Sequence, residues 1–418
     1  MTASPAAPAS ATHDFDLLII GGGLVGASLA CALAGRGLRI GLVEARPFHT
    51  GHPSYDDRTL ALAHGTRRIF EGLGLWHGLG EVSPIHSIHI SDRGHPGIAR
   101  LERRDHGVEA LGYVVPARVV GAALLERLAT LPGVEILSPA RLSGLRIDAM
   151  AAVASLDTDS GPRTLRARLV VGADGARSRV RAELGIPAFG YEYGQSALVA
   201  NVSPAEPHRQ RAFERFTDSG PLALLPLGDN RCAMVWTARS DRVPALLALS
   251  DEAFLTALGE RFGDRLGRFI RLGRRDAYPL SLVKAAEHAR HRVALLGNAA
   301  HTLHPVAGQG FNLGLRDVAA LAEVIHDAHA RGEDFGDGRV LERYADWRRW
   351  DQRRTVAFTD ALARLFGAAA PPPLRLARNL GLLTFDLLPP AKRLLARQAM
   401  GLTGKLPRLA LGLPLVSP

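Results

Sequence analysis

The sequence predicts an α/β protein: a largely parallel sheet dressed with helices, an inserted antiparallel β-sheet, and a helical C-terminal arm. Three observations predict it. Short apolar runs such as Phe15-Asp16-Leu17-Leu18-Ile19-Ile20 end at glycines, as buried parallel strands do. Strand and helix signals alternate through roughly the first 185 residues. Between about 190 and 285 the character changes to apolar stretches flanking Gly228-Asp229-Asn230, a hairpin signature.

Leu24 to Arg36 reads as a helix, with Ala27, Ala30, Cys31 and Ala34 at helical spacing and Gly35 and Gly37 to stop it. Leu38 to Val43 is a second buried strand ending in Glu44. Arg58 to Gly72 is expected to be helical, the stretch from about 80 to 112 irregular, and Pro116 to Leu131 helical again. Short strands follow through 134–171. Val293-Ala294-Leu295-Leu296 returns to a buried strand, then a glycine loop and a helix to about Ala330. The unit begun at residue 15 is thus completed almost 300 residues later. The expected division is a tail (1–13), a discontinuous nucleotide-binding domain (14–75, 112–185 and 286–365), a substrate domain (76–111 and 186–285) and the C-terminal arm (366–418).

The 418 residues are 47% hydrophobic and 22% charged, ordinary for a folded protein. Residues 1–13 have neither the positive opening nor the aliphatic block of a secretory signal, and are expected to be a disordered tail. No apolar run reaches the roughly 20 residues of a spanning helix, so a cytoplasmic protein is expected. Two cysteines, Cys31 and Cys232, argue for a reducing compartment. The net charge of +10 favours anionic partners. The arginines are scattered and no nucleic-acid motif accompanies them, so no nucleic acid is expected. A solvated basic surface and peripheral attachment at the inner face of the cytoplasmic membrane both remain open.

Three segments carry chemistry. Gly21-Gly22-Gly23-Leu24-Val25-Gly26 fits G-x-G-x-x-G between a strand and a helix, a Rossmann-like fingerprint. Gly21 permits the turn, Gly23 lets backbone approach a pyrophosphate, and Gly26 lets helix pack on strand. The helix N-terminus favours the phosphates. Glu44, 18 residues beyond Gly26, is placed to accept hydrogen bonds from an unphosphorylated ribose. The second segment, Val170-Val171-Gly172-Ala173-Asp174-Gly175-Ala176-Arg177-Ser178, ends a strand and opens a helix. Asp174 reads equally as a helix cap. In the third, Leu295 to Asn312, Gly308 and Gly310 put bare backbone at a helix start, where negative charge is favoured by about 0.3–1 kcal/mol.

In this order and spacing, the three segments resemble the class A flavin monooxygenases. Asp57-Arg58-Thr59-Leu60-Ala61-Leu62, the block from Gly297 to Asp317, and Leu387-Leu388-Pro389-Pro390 are similar to the ubiquinone-biosynthesis hydroxylases within that class. The resemblance implies an FAD-binding domain of the hydroxybenzoate-hydroxylase type and FAD as cofactor, with NAD(P)H as co-substrate. It implies transfer of one oxygen atom of O2, through a C4a-hydroperoxyflavin, to a polyprenylated phenol. Gly21, Gly23, Gly26 and Glu44 would hold the adenosine half. Arg58 and Arg118 would lie along the pyrophosphate and ribityl, and Asp174 would serve both FAD and nicotinamide. Asn298, where many class A enzymes carry Asp, would bind the ribityl. Pro305, Gly308, Gln309, Gly310, Phe311 and Asn312 would border the flavin ring. No catalytic group that deprotonates the phenol is evident.

Other features have plainer readings. His301 and His304 lack a third ligand at metal spacing, so no metal is expected. Cys31 reads as core, and Trp347 and Trp350 as a helix-packing pair. The arm carries Leu380, Leu382, Leu383, Phe385, Leu387 and Leu388 ahead of Lys392, Arg393 and Arg397, which suits a membrane interface or packing on the protein itself. A hydroxylase of another aromatic substrate, a nicotinamide dehydrogenase and a non-catalytic prenyl-binding protein are the rival readings.

Overall fold

The computed structural model describes residues 13–48, 58–365, 381–382 and 384–415. The expected tail, His13 apart, and the Pro371-Pro372-Pro373 boundary lie outside the described residues.

Among the described residues the strands form three sheets. In the first, Phe15–Ile20 sits between Ile40–Val43 and Gly161–Gly172, parallel to both, and Val293–Leu295 runs parallel to the far side of Gly161–Gly172. Ile20 lies beside Val43 and Gly172, and Gly172 beside Leu295. Four parallel strands therefore end at one level, and the loops that follow them meet there. Leu24–Leu33 is buried along nearly its whole length and packs on Ala117–Thr130 and Gln309–Ala330. That explains why it is apolar all round and lacks a polar stripe.

The second sheet is antiparallel except at one pair. Its strands run in the order His301–Thr302, Asp276–Ala285, Ala188–Pro204, Cys232–Arg239, Gly220–Pro226, Arg211–Thr217, Ser87–Asp92, Ile98–Glu102. Asp229 and Asn230, both at positive φ (58° and 51°), turn the expected hairpin between Pro226 and Cys232.

Two expectations are corrected. Arg58 to Gly72 is not one helix: Thr59–Ala63 is a strand, paired antiparallel to Gly112–Pro116, and the helix is confined to His64–Gly72. Pairing with a segment some 50 residues away overrides helical spacing. The stretch from 80 to 112 is not irregular either. It supplies Ser83–Ile85 to the small third sheet and Ser87–Asp92 and Ile98–Glu102 to the edge of the antiparallel one.

Two polar clusters fix the long helix Gln309–Ala330. Asn312 accepts from Ala63 N (2.8 Å) and Thr66 Oγ1 (2.7 Å), and donates to Ala61 O (2.8 Å) and Gly308 O (2.6 Å). All of its amide capacity is used in tying the helix to Thr59–Ala63. Asp317, fully buried, accepts from His301 Nε2 (2.6 Å), Arg348 Nε (2.6 Å) and Gln352 Nε2 (3.0 Å). Burial alone would raise its carboxyl, but the Arg348 guanidinium and then His301 outweigh it and hold it well below the usual carboxylate range. Its folded pKa thus lies below its unfolded one, so its contribution to stability is complete at neutral pH and is lost as pH falls below about 3.9. Replacing Arg348 by Met leaves the carboxylate uncompensated. Urea unfolding should show a loss of about 3–5 kcal/mol, most of it recovered by adding Asp317→Leu; an unchanged midpoint for the single variant would contradict this reading of the cluster.

Candidate active site

The first loop is shaped by what its glycines lack. A Cβ on Gly21, whose φ is +108°, would lie 2.5 Å from Ala173 O, and one on Gly26 would lie 2.0 Å from Gly21 O. No other residue fits either position without moving backbone. Gly23 caps the helix in extended conformation and no side chain caps the N–H groups behind it. Glu44, next after the second strand, accepts from Gly22 N (2.8 Å) through one carboxylate oxygen and from Arg46 N (3.0 Å) through the other.

The second loop leans on the first through Ala173. Asp174 Oδ2 accepts from Arg179 N (2.6 Å) and Val180 N (3.1 Å) at the start of the Arg179–Glu183 helix, while Ser178 caps Arg181 N. The capping reading therefore holds, yet it uses only one oxygen. Oδ1 is buried with no partner among the described residues, and burial raises the pKa of the carboxyl. An orphaned buried acceptor at this junction fits a hydroxyl-bearing ligand.

The third loop closes on both. Gly297, at φ +54°, packs against Val25 of the first helix, and Gly314 backs onto Gly297. Asn298 is exposed while every residue from Arg292 to Gly297 and from Ala299 to His301 is buried, so its amide faces outward at the meeting point. Gly308, at φ +61°, caps Gln309–Ala330 where a Cβ would come 2.8 Å from that of Ala61. Pro305, Gly308, Gln309 and Asn312 border the cavity described next, whereas Phe311 stacks on Phe70 with 6.4 Å between ring centres. Arg58 lies 5.0 Å over the Tyr278 ring, and Arg118 pairs with Glu81 at 2.7 Å. Two glycine-lined cradles and one orphaned carboxylate oxygen, brought together at strand ends, suit a dinucleotide stretched from the first loop to the third.

Beside the third loop opens a cavity of about 630 Å3. One wall is the antiparallel sheet, through Ile88, Ile90, Ala223 and Leu225. Another is Thr59–Ala63, and the roof is the C-terminal segment through Leu382, Phe385, Leu395 and Met400. The sequence did not reveal this roof, because its role depends on where the arm folds back. Gly65 N donates to Met400 O (2.8 Å), and Leu409, Ala410 and Leu415 are core. A large apolar chamber adjoins the Gly308–Gln309 edge, a shape that suits an apolar ligand.

Residues 14–359 match the family of the FAD binding domain. The chain is 45% identical over 412 residues to the ubiquinone hydroxylase UbiL of Rhodospirillum rubrum, covering 97% of this chain and 95% of that one. It is 33% identical to the 3-demethoxyubiquinol 3-hydroxylase of Escherichia coli, covering 93% and 98%. The p-nitrophenol 4-monooxygenase PnpA of Pseudomonas putida DLL-E4 shares the fold at a TM-score of 0.77 and 21% identity, covering 93% of this chain and 98% of that one. The protein belongs to the class A FAD-dependent monooxygenases, in the family of the ubiquinone-biosynthesis hydroxylases.

Gly21→Ala would introduce backbone strain of about 1–3 kcal/mol at the first glycine turn, equivalent to about five- to 140-fold weaker FAD retention. The purified variant should be pale or colourless by flavin absorbance; a fully yellow variant would contradict the placement.

Proposed function

We propose that this monooxygenase hydroxylates the aromatic ring of a polyprenylated phenol of ubiquinone biosynthesis, using O2 and NAD(P)H. The cavity carries this reading: its lining is almost wholly apolar, it adjoins the Gly308–Gln309 loop, and it runs under the C-terminal roof with room for a ring and part of a chain. The names of the similar hydroxylases point to the same substrate class. Bound FAD would supply the redox chemistry, accepting hydride and activating O2.

The chain's own residues would bind and enclose. Gly21, Gly23 and Gly26 would accommodate the pyrophosphate, Glu44 the adenosine ribose, and Arg58 and Arg118 would lie along the pyrophosphate and ribityl. Asp174, through its orphaned oxygen, and Asn298 would take the hydroxyls of the linking chain. Backbone N–H groups at Gly308, Gln309 and Gly310, at the start of a 22-residue helix, would stabilise negative charge on the flavin edge without a side chain. Pro305 would border the ring. Asn312 would act one step back, holding the loop to Thr59–Ala63. The Leu382–Met400 roof would exclude water from the reacting centre.

The same roof offers a route for an insoluble substrate. Along Pro389–Ala399, Leu395 and Ala396 face the cavity while Arg393, Leu394 and Arg397 are exposed, next to Leu387, which is 80% exposed. Apolar side chains flanked by cations suit the headgroup boundary of an anionic membrane. No helix among the described residues is long and apolar enough to cross a membrane. Attachment at the inner face of the cytoplasmic membrane would let the substrate enter from the lipid.

Purified protein supplied with FAD, NAD(P)H, a polyprenyl phenol and isotopically labelled O2 should yield a product one labelled oxygen heavier by mass spectrometry. Oxidation of NAD(P)H that yields only hydrogen peroxide would contradict the proposal. Leu387→Glu combined with Leu394→Glu should lower co-sedimentation with anionic vesicles and leave bound FAD unchanged; undiminished sedimentation would remove the membrane role.

A further inference from the structure

A phenol ring is attacked far more readily as its phenolate, yet a phenol ionises only near pH 10. Among the described residues that line the cavity, Glu214 is the one with an ionisable side chain. It sits in Arg211–Thr217, where Ala212, Glu214 and Phe216 alternate onto the cavity-facing side of the sheet. Its strand neighbours are Ile90 on one side and Ala223 on the other. The elements facing it present Ile88, Leu225, Val235 and, from the opposite wall, neutral Thr59, Gln309 and Asn312. Arg215 and His89 lie on the other side of the sheet; the Arg215 guanidinium bonds Arg261 O (3.2 Å), and His89 packs on Phe213. No hydrogen bond or ion pair is made by the Glu214 carboxyl within the described residues, and the surface it retains opens into the cavity.

An unpartnered carboxyl in an apolar chamber is costly to stability, which marks it as serving a ligand. We propose, on the basis of the hydroxylase reading above, that Glu214 receives the ring hydroxyl of the substrate and acts as the base that ionises it. The O–H bond of the phenol breaks, its proton passes to a Glu214 carboxylate oxygen, and the electron pair stays on the ring oxygen as phenolate. When the oxygenated ring regains aromaticity, its C–H proton is released to water and the proton on Glu214 returns to the ring oxygen, restoring the carboxylate. Burial pushes this carboxyl up to about 7, close to what a base working at neutral pH requires. The polar head of the substrate is thereby directed to the sheet wall and its apolar chain toward Leu382 and Phe385.

Glu214→Gln keeps the shape and removes the base, and burying a neutral amide should leave folding and FAD content intact. With 2-prenylphenol as probe, kcat/KM at pH 8 should fall by about 10²–10⁴-fold. The wild-type rise of kcat/KM near pH 7 should vanish, and activity should climb instead toward about pH 10, where the phenol ionises by itself. Without turnover, probe affinity of the oxidised holoenzyme, read by flavin difference absorbance, should rise through about pH 7 in the wild type, as the carboxylate that receives the hydroxyl forms, and stay level in the variant. A variant that keeps the wild-type rate and pH limb overturns the role of Glu214 and leaves the hydroxylase reading standing. A wild type whose probe affinity rises through about pH 7 but which never oxygenates any phenol supports Glu214 as the group that receives the hydroxyl and counts against the hydroxylase reading.

Discussion

Everything functional in this protein depends on four parallel strands ending at one level. Ile20, Val43, Gly172 and Leu295 are neighbours across the sheet, so the loops that follow them are forced together whatever their distance in sequence. Such a convergence would collide if the loops carried ordinary side chains. The absent Cβ atoms of Gly21 and Gly26 leave room for Ala173 and for the helix, and Gly297 and Gly314 allow the last loop to close on Val25. Close backbone approach then exposes N–H groups at two helix starts, which is what an anionic dinucleotide requires.

The loop from Thr302 to Gly308 is suspended between fixed points. His301 is held by Asp317 from one side, and Asn312 fastens the helix start to Thr59–Ala63 from the other. Asp317 is in turn neutralised by Arg348, which also reaches Asp351, itself bonded by Arg316. Burying such charges is costly unless they are paired, and here the pairing comes from three separate segments. The arrangement fixes both flanks of the loop and leaves Gly308 bare where the helix starts. The C-terminal segment adds a second constraint, since Gln309 Nε2 donates to Ala399 O (3.4 Å) and ties the roof of the cavity to the same loop.

Much of the fold around the candidate nucleotide site was legible because it is written in local residues. Gly21 and the Asp229-Asn230 hairpin stand at backbone angles that few residue types accept, and Glu44 follows directly on the second strand. What was not legible depends on distant partners. Thr59–Ala63 reads like a helix start until Gly112–Pro116 pairs with it, and Ser87–Asp92 reads as irregular until Arg211–Thr217 lies alongside. Glu214 was hidden for the same reason. A charged residue alternating with apolar ones ordinarily marks the solvent face of a strand, and only the roof formed by residues nearly 200 positions later makes that face an interior. Asp174 illustrates a third case: the sequence allowed a cap or a cofactor ligand, and the structure assigns one oxygen to the cap and leaves the other over.

That one FAD spans both glycine cradles is tested by a crystal structure of the FAD-loaded protein. The expected density places the pyrophosphate at Gly21–Gly26, a ribityl hydroxyl on Asp174 Oδ1, and the flavin ring edge at Gly308–Gly310, facing the cavity. Density for a nucleotide at the first cradle alone, with the flavin ring remote from Gly308, would contradict it.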